Sequence, residues 1–170
     1  MLLLAACSTA RGEKTRVLIV DGFSNHDWQR TTACRRMRLE NEGSYSVDVS
    51  TFPARATEAE REAWHPDFKG YDVVIQNTNG GTNGPEWGAG AKKALEQYLA
   101  EGGGMLAFHS ANNAFPRWPE YNRMIGLGWR PRDYGTSLVI TDDEAILRLP
   151  PGEGGHTSHG ERVDALVTRL

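Results

Sequence analysis

The chain has 170 residues, 39% of them hydrophobic and 24% charged, with a formal charge of −3 from interspersed residues of both signs. That balance excludes a disordered chain, and the length suits one domain able to bury its own core. No run approaches the roughly 18–20 apolar residues of a membrane-spanning helix, and no basic stripe is long enough to read as a nucleic-acid surface.

In chain order, "MLLLAACSTA" comes first, with Leu4, Ala5 and Ala6 directly before Cys7. The pattern resembles the lipobox of bacterial lipoproteins, which implies cleavage before Cys7 and a lipid on its thiol. The apolar stretch is shorter than a complete signal peptide, so residues 1–15 read as a signal remnant followed by a polar tether. The expected location is then the periplasm or the outer membrane, with membrane contact only through that lipid. The alternative is an apolar N-terminus on a cytoplasmic protein. Cys34 is the other cysteine and lies in a helical segment, so no disulfide framework is available.

From residue 16 to 170 strand and helix signals alternate. "TRVLIVDG" is a buried, β-branched strand. Ser24 and Asp27 fit a capping pattern for a helix from Asp27 to Glu42, which Gly43 stops. "YSVDVSTF" alternates as a second strand, "TEAEREAWH" is a short helix, and "YDVVIQN" is a third strand. A helix from Glu86 to Glu101 puts Trp87, Ala91, Leu95 and Tyr98 on one face. "MLAFH" is a fourth strand, with Met105 to Phe108 buried. "WPEYNRMIG" is a helix with Pro119 in its first turn, "TSLVIT" and "AILRLP" form a peripheral hairpin, and "RVDALVTRL" reads as a strand. The expected class is α/β, an open, mostly parallel, flavodoxin-like sheet with flanking helices.

Ligands of such sheets bind outside the carboxyl ends of the strands. Those ends carry Asp21, Asn25 and His26 after the first strand, Asn77 and "NGG" after the third, and His109, Ser110, Asn112 and Asn113 after the fourth. Imidazole suits proton transfer or metal binding near neutral pH. His109 is therefore the candidate acid/base, with His26 its partner and Asp21 orienting or charge-balancing an imidazole. Asn25, Asn77, Asn112 and Asn113 are candidate hydroxyl binders, and Trp118 and Trp129 offer flat apolar faces suited to a sugar ring. Asn79, Gly80 and Gly81 read instead as turn residues, and Trp87 and Tyr121 as helix packing. "GEGGHTSHG" sets His156 and His159 three apart in a glycine-rich segment. Folded over the rim, that segment joins His26 and His109 as ligands of a divalent, zinc-like metal, with Asp21 able to complete the shell.

"VLIVDGFSNHDWQRTT", "GGGMLAFHSANNAFPRWPEYNRMIGLGWR" and "GEGGHTSHG" together resemble the ThuA-like (trehalose utilisation) family. The resemblance implies a fold related to class I glutamine amidotransferases and a role in the use of disaccharides or keto-sugars. It also implies a further C-terminal segment, against which this chain reads as shortened. In the amidotransferases a nucleophilic cysteine occupies the turn after this strand; here the corresponding position is His109 or Ser110. A thioester glutaminase is therefore not expected. The expected function is hydrolase- or isomerase-like processing of a small carbohydrate. The alternatives are a non-catalytic sugar-binding or partner-docking module and, ranked last, a hydrolase using Ser110.

Overall fold

The computed structural model describes residues 13–153 and 166–169. Its centre is a parallel sheet of β1 (Thr15–Asp21), β2 (Tyr45–Thr51), β3 (Val73–Gln76) and β4 (Gly104–Ala107), in the order β2-β1-β3-β4. That order begins the flavodoxin-like arrangement, in which the chain reverses its direction of winding between β1 and β3. The expected class is the observed one.

Alternation along β1 divides the core in two. Val17 and Ile19 join Val47 and Ile75 on the face covered by α1 (Trp28–Asn41), whose Leu39 packs there. Leu18 and Val20 join Val74 on the opposite face. There α2 (Glu58–Glu62) precedes α3 (Ala89–Ala100), which supplies Ala91, Leu95 and Tyr98. Phe23, Phe52, Phe68, Trp87, Phe115, Trp118 and Tyr121 complete that second layer. Several of these rings meet edge to face, for example Phe115 and Tyr121 at 5.2 Å, the orientation their quadrupoles favour.

Three local expectations change. The helix expected from Glu86 begins at Ala89, because Gly88 is its cap; Trp87 precedes it and is buried among Trp64, Phe68, Phe115 and Trp118. Ser24 does not cap α1. Its Oγ accepts from the His26 N–H, while Asp27 is the cap and accepts from the Arg30 N–H at 3.0 Å. The reciprocal capping box occurs at Thr57 and Glu60, opening α2. Finally, β4 is an edge strand rather than a buried one. Leu106 is 50% exposed, and Phe108 is half-buried beneath the Arg35 guanidinium, 3.0 Å from its ring centre.

After β4 the chain forms α4 (Pro119–Ile125), with Pro119 in its first turn where a missing N–H costs nothing. A second, antiparallel sheet follows, made of β5 (Ser137–Ile140), β6 (Ile146–Leu149) and β7 (Leu166–Arg169) in the order β6-β5-β7. β5 and β6 are the expected hairpin, and β7 lies within the expected C-terminal strand. Among the described residues no helix is long and apolar enough to cross a membrane.

One glycine fixes how the chain leaves β1. Gly22 sits at φ +126°, and a Cβ there would lie 2.2 Å from the Phe52 carbonyl oxygen and 2.8 Å from its nitrogen. Both neighbours are backbone, which cannot swing aside. Gly22→Ala should therefore cost about 3 kcal/mol or more, from strain and overpacking together. Urea denaturation measures it, and a loss below about 1 kcal/mol would contradict the close approach.

Candidate active site at the sheet rim

The winding reversal between β1 and β3 opens a crevice at the carboxyl end of the sheet. The loop after β1 contributes Phe23, Ser24 and Asn25, and the loop after β3 contributes Asn79, Gly80 and Gly81. Gly84, Pro85, Asn113, Pro116 and the segment Trp129–Arg132 complete a pocket of 640 Å³. The two loops are tied to each other. The Asn79 N–H donates to the Phe23 carbonyl at 3.0 Å, and the Asn79 side-chain amide donates to Asn25 Oδ1 at 2.7 Å. Asn79 Oδ1 in turn accepts from the Gly81 N–H at 2.8 Å, so this residue is the turn-former the sequence implied.

His109 stands at the first position after β4 and Phe108, in the left-handed region at φ +49°. A non-glycine residue there costs about 1–3 kcal/mol. It opens a tight helical turn, His109–Asn113, and its side chain is exposed. The exposed ring of His26 meets it, with ring centroids 4.8 Å apart and planes tilted by 43°. Asn25 precedes His26, and Asn113 ends the turn that His109 begins, so each imidazole stands on a segment that also lines the pocket. Neither imidazole is among the residues lining it.

The other predicted site residues separate into three groups. Asn25, Asn113 and Trp129 line the pocket. Asn77 and Trp118 do not. The buried Asn77 amide donates to Thr31 Oγ1 at 3.1 Å and Thr32 Oγ1 at 3.0 Å, fastening α1 to the end of β3. Trp118 is 4% exposed in the aromatic layer, with its indole N–H on Glu96 at 2.7 Å. Both are structural because a buried amide or indole must spend its N–H internally. Asn112 contributes a backbone carbonyl to the architecture, and its side chain is not on the pocket wall.

Asp21 also departs from its expected part. It is 2% exposed and accepts from the Thr51 hydroxyl at 2.7 Å, with Thr32 a second hydroxyl partner and no imidazole among its hydrogen bonds. Burial pushes its carboxyl above the usual carboxylate range, and the two hydroxyls only partly offset that. As for the metal set, no group of three His, Cys, Asp or Glu among the described residues is disposed to hold an ion. His156 and His159 lie outside the described residues, as does Cys7.

Arg130, not singled out from sequence, and Tyr121, read there as helix packing, hold this region together. Arg130, 3% exposed, donates from Nε to Asn122 Oδ1 at 2.9 Å. Its Nη1 donates to the carbonyls of Asn112 at 2.6 Å and Trp129 at 2.8 Å, and its Nη2 to Ala114 at 3.1 Å and Asn122 at 2.5 Å. The buried Tyr121 hydroxyl donates to the Ala111 carbonyl at 2.8 Å. The carbonyls of the turn that carries His109 are thus held from beneath. Gly128 admits the guanidinium, since a Cβ there would lie 3.0 Å from Arg130 Cζ and 3.1 Å from the Asn112 oxygen. The only sequence signal was an arginine among Gly, Trp and Pro in "GWRPRDYG", which periodicity cannot tell from a surface arginine.

An open α/β domain with a strained turn after its fourth strand, and polar loops gathered at the winding reversal, defines a ligand-handling protein of the class whose sites sit on the strand ends. Residues 16–150 match the family model described as "ThuA: Trehalose utilisation", and the chain belongs to that family. Membership ties it to carbohydrate utilisation in the broad sense. A putative ThuA-like protein from Parabacteroides merdae has a similar structure, with a TM-score of 0.73 and 27% identity over 85% of this chain and 50% of that one. The chain therefore spans about half the length of that protein. No curated protein matches it in sequence.

The Asp21 environment gives a signed expectation for pH. Its folded-state pKa is raised, so its contribution to folding is fully present below the ordinary carboxylate value and is lost as pH rises through the raised value. Asp21→Asn keeps an acceptor for Thr51 and removes the ionisation. The variant's denaturant midpoint should equal or exceed that of the wild type near neutral pH, and the gap should close on acidification. A variant markedly weaker at neutral pH, with the gap persisting in acid, would contradict this account.

Proposed function

We propose that this chain processes a small carbohydrate, a disaccharide or keto-sugar, using His109 as general acid/base and His26 as its partner. The observation that carries the reading is the meeting of two exposed imidazoles 4.8 Å apart, on the two loops that also give Asn25 and Asn113 to the 640 Å³ pocket. Imidazole can act as a proton acceptor or a donor, so one ring can accept a hydroxyl proton while the other donates to a leaving or carbonyl oxygen. A sugar offers both kinds of group. Trp129 supplies a face for the ring, and the Asn25 and Asn113 side chains supply hydroxyl partners. Cys34 is exposed on α1, and the turn after β4 carries no cysteine, so cysteine chemistry has no support at that turn.

His109→Ala and His26→Ala should each lower turnover of a keto-disaccharide about a hundredfold or more, the usual range for a lost acid/base group. Thermal stability should stay near wild type for His109→Ala, because alanine removes no hydrogen bond that the described residues make with the ring and carries the same left-handed backbone cost. Full activity in both variants would sink the assignment. A second reading is a sugar-binding module without catalysis, favoured by the absence of both imidazoles from the pocket wall. Calorimetric binding of the disaccharide, with no product after prolonged incubation, would select it.

Export as a lipoprotein is part of the same proposal and is supported by Leu4, Ala5, Ala6 and Cys7 alone. Expressed from its native locus, the protein should fractionate with membranes, and Cys7→Ser should release it. Equal partitioning of both forms would remove the lipid from the account.

A further inference from the structure

The same pocket has an electrical asymmetry that a neutral sugar does not use. Two guanidinium groups, Arg130 and Arg132, are in its lining, and no Asp or Glu is. The chain as a whole carries −3, so the local sign opposes the net one. In a cleft with low-dielectric walls, charges of one sign reinforce each other and favour a counter-charged ligand.

The two arginines contribute differently. Every N–H of Arg130 is spent on a neutral acceptor, either Asn122 Oδ1 or a backbone carbonyl, so its charge has no carboxylate partner among the described residues. A buried cation left without a counter-charge carries a desolvation penalty that an arriving anion reduces. Arg132 is exposed at the mouth. Its Nε donates to the Gly152 carbonyl at 2.5 Å, and its terminal nitrogens meet no partner among the described residues. Asp133, next in the chain, makes no ion pair with it there. The fork of Arg132 is therefore open to a carboxylate or phosphate, both of which it can grip with two parallel bonds.

The rest of the wall fits a ring attached to that anion. Phe23, Pro85, Pro116 and Trp129 are apolar. Asn25 has its Oδ1 occupied by Asn79 but its amide N–H groups unspent, and the Asn113 side chain has no partner among the described residues. We propose that the pocket takes a sugar bearing an anionic substituent, either the carboxylate of a sugar acid or the phosphate of a sugar phosphate, with the anion toward Arg132 and above Arg130. The proposal deepens the carbohydrate reading of this site and rests on it.

Titration calorimetry on the full chain with glucuronate, a glucose phosphate, glucose and inorganic phosphate tests it. At least one of the two anionic sugars should bind ten times more tightly than glucose or more, and the one that does identifies the anion. Arg132→Gln should weaken that binding by about five- to tenfold, Arg132→Lys should recover part of it, and added salt should weaken the anionic ligand only. Glucose binding as well as either anionic sugar, inorganic phosphate matching the sugar phosphate, an unaffected Arg132→Gln, or no binding by any of the four would each overturn the inference. Its failure is separable from that of the histidine mechanism. Turnover of a neutral keto-disaccharide that depends on His109, with no preference for anionic sugars, would leave the mechanism and remove this ligand. Anionic-sugar binding that survives His109→Ala, in a protein with no turnover, would do the reverse.

Discussion

The region that carries the candidate chemistry depends on one buried guanidinium. Arg130 gathers three separate pieces of chain: the turn after β4 through the carbonyls of Asn112 and Ala114, the helix α4 through Asn122, and its own strand-like approach through Trp129. A lysine could not do this, because only the planar fork offers five donors in fixed directions. Burial lowers its pKa, which is the expected sign for a cation removed from water without a counter-ion. The arrangement persists because each hydrogen bond to a charged donor is worth more than one between neutral groups. Breaking it would also leave several carbonyls buried and unpaired.

That clamp explains how His109 tolerates its backbone. A left-handed histidine relaxes when the surrounding chain is free to move, and here the following residues are not free. Tyr121 holds the Ala111 carbonyl, and Arg130 holds those of Asn112 and Ala114. Strain at one residue is thus balanced by satisfied carbonyls at Ala111, Asn112 and Ala114, the pattern expected where a side chain must be presented at a fixed angle.

Much of the fold was legible in sequence because its signals are local and periodic. The run from Val17 to Val20 is apolar at every position, which only a strand covered on both faces requires. α1 and α4 announce themselves by Asp27 and Pro119. Where the sequence misled, a tertiary fact decided. Met105 to Phe108 looks as apolar as β1 but lies on the sheet edge, where Leu106 is left half in water. Nothing in a run of four apolar letters states how many neighbours the strand has.

The site was legible to a similar depth. Position after a strand end picked out the rim where the pocket opens; Asn25 and Asn113, which line it, came from that rule together with His26 and His109. The same rule could not say which side chains at that rim face outward. Asn77 and Asn79 both follow β3, yet one fastens a helix and the other shapes a loop, because each is within reach of partners contributed by distant segments: the helix α1 for Asn77, and the loop after β1 for Asn79. Arg130 is the extreme case. Its role exists only when residues more than a dozen positions away, such as Asn112 and Ala114, are brought to it in space, so no local pattern pointed to it. A buried arginine with only neutral partners is informative for that reason. Its five N–H groups hold the turn, while its charge is neutralised by none of those acceptors. That charge lies at a pocket with no carboxylate in its lining, so one side chain sets both the shape of the rim and its electrical character.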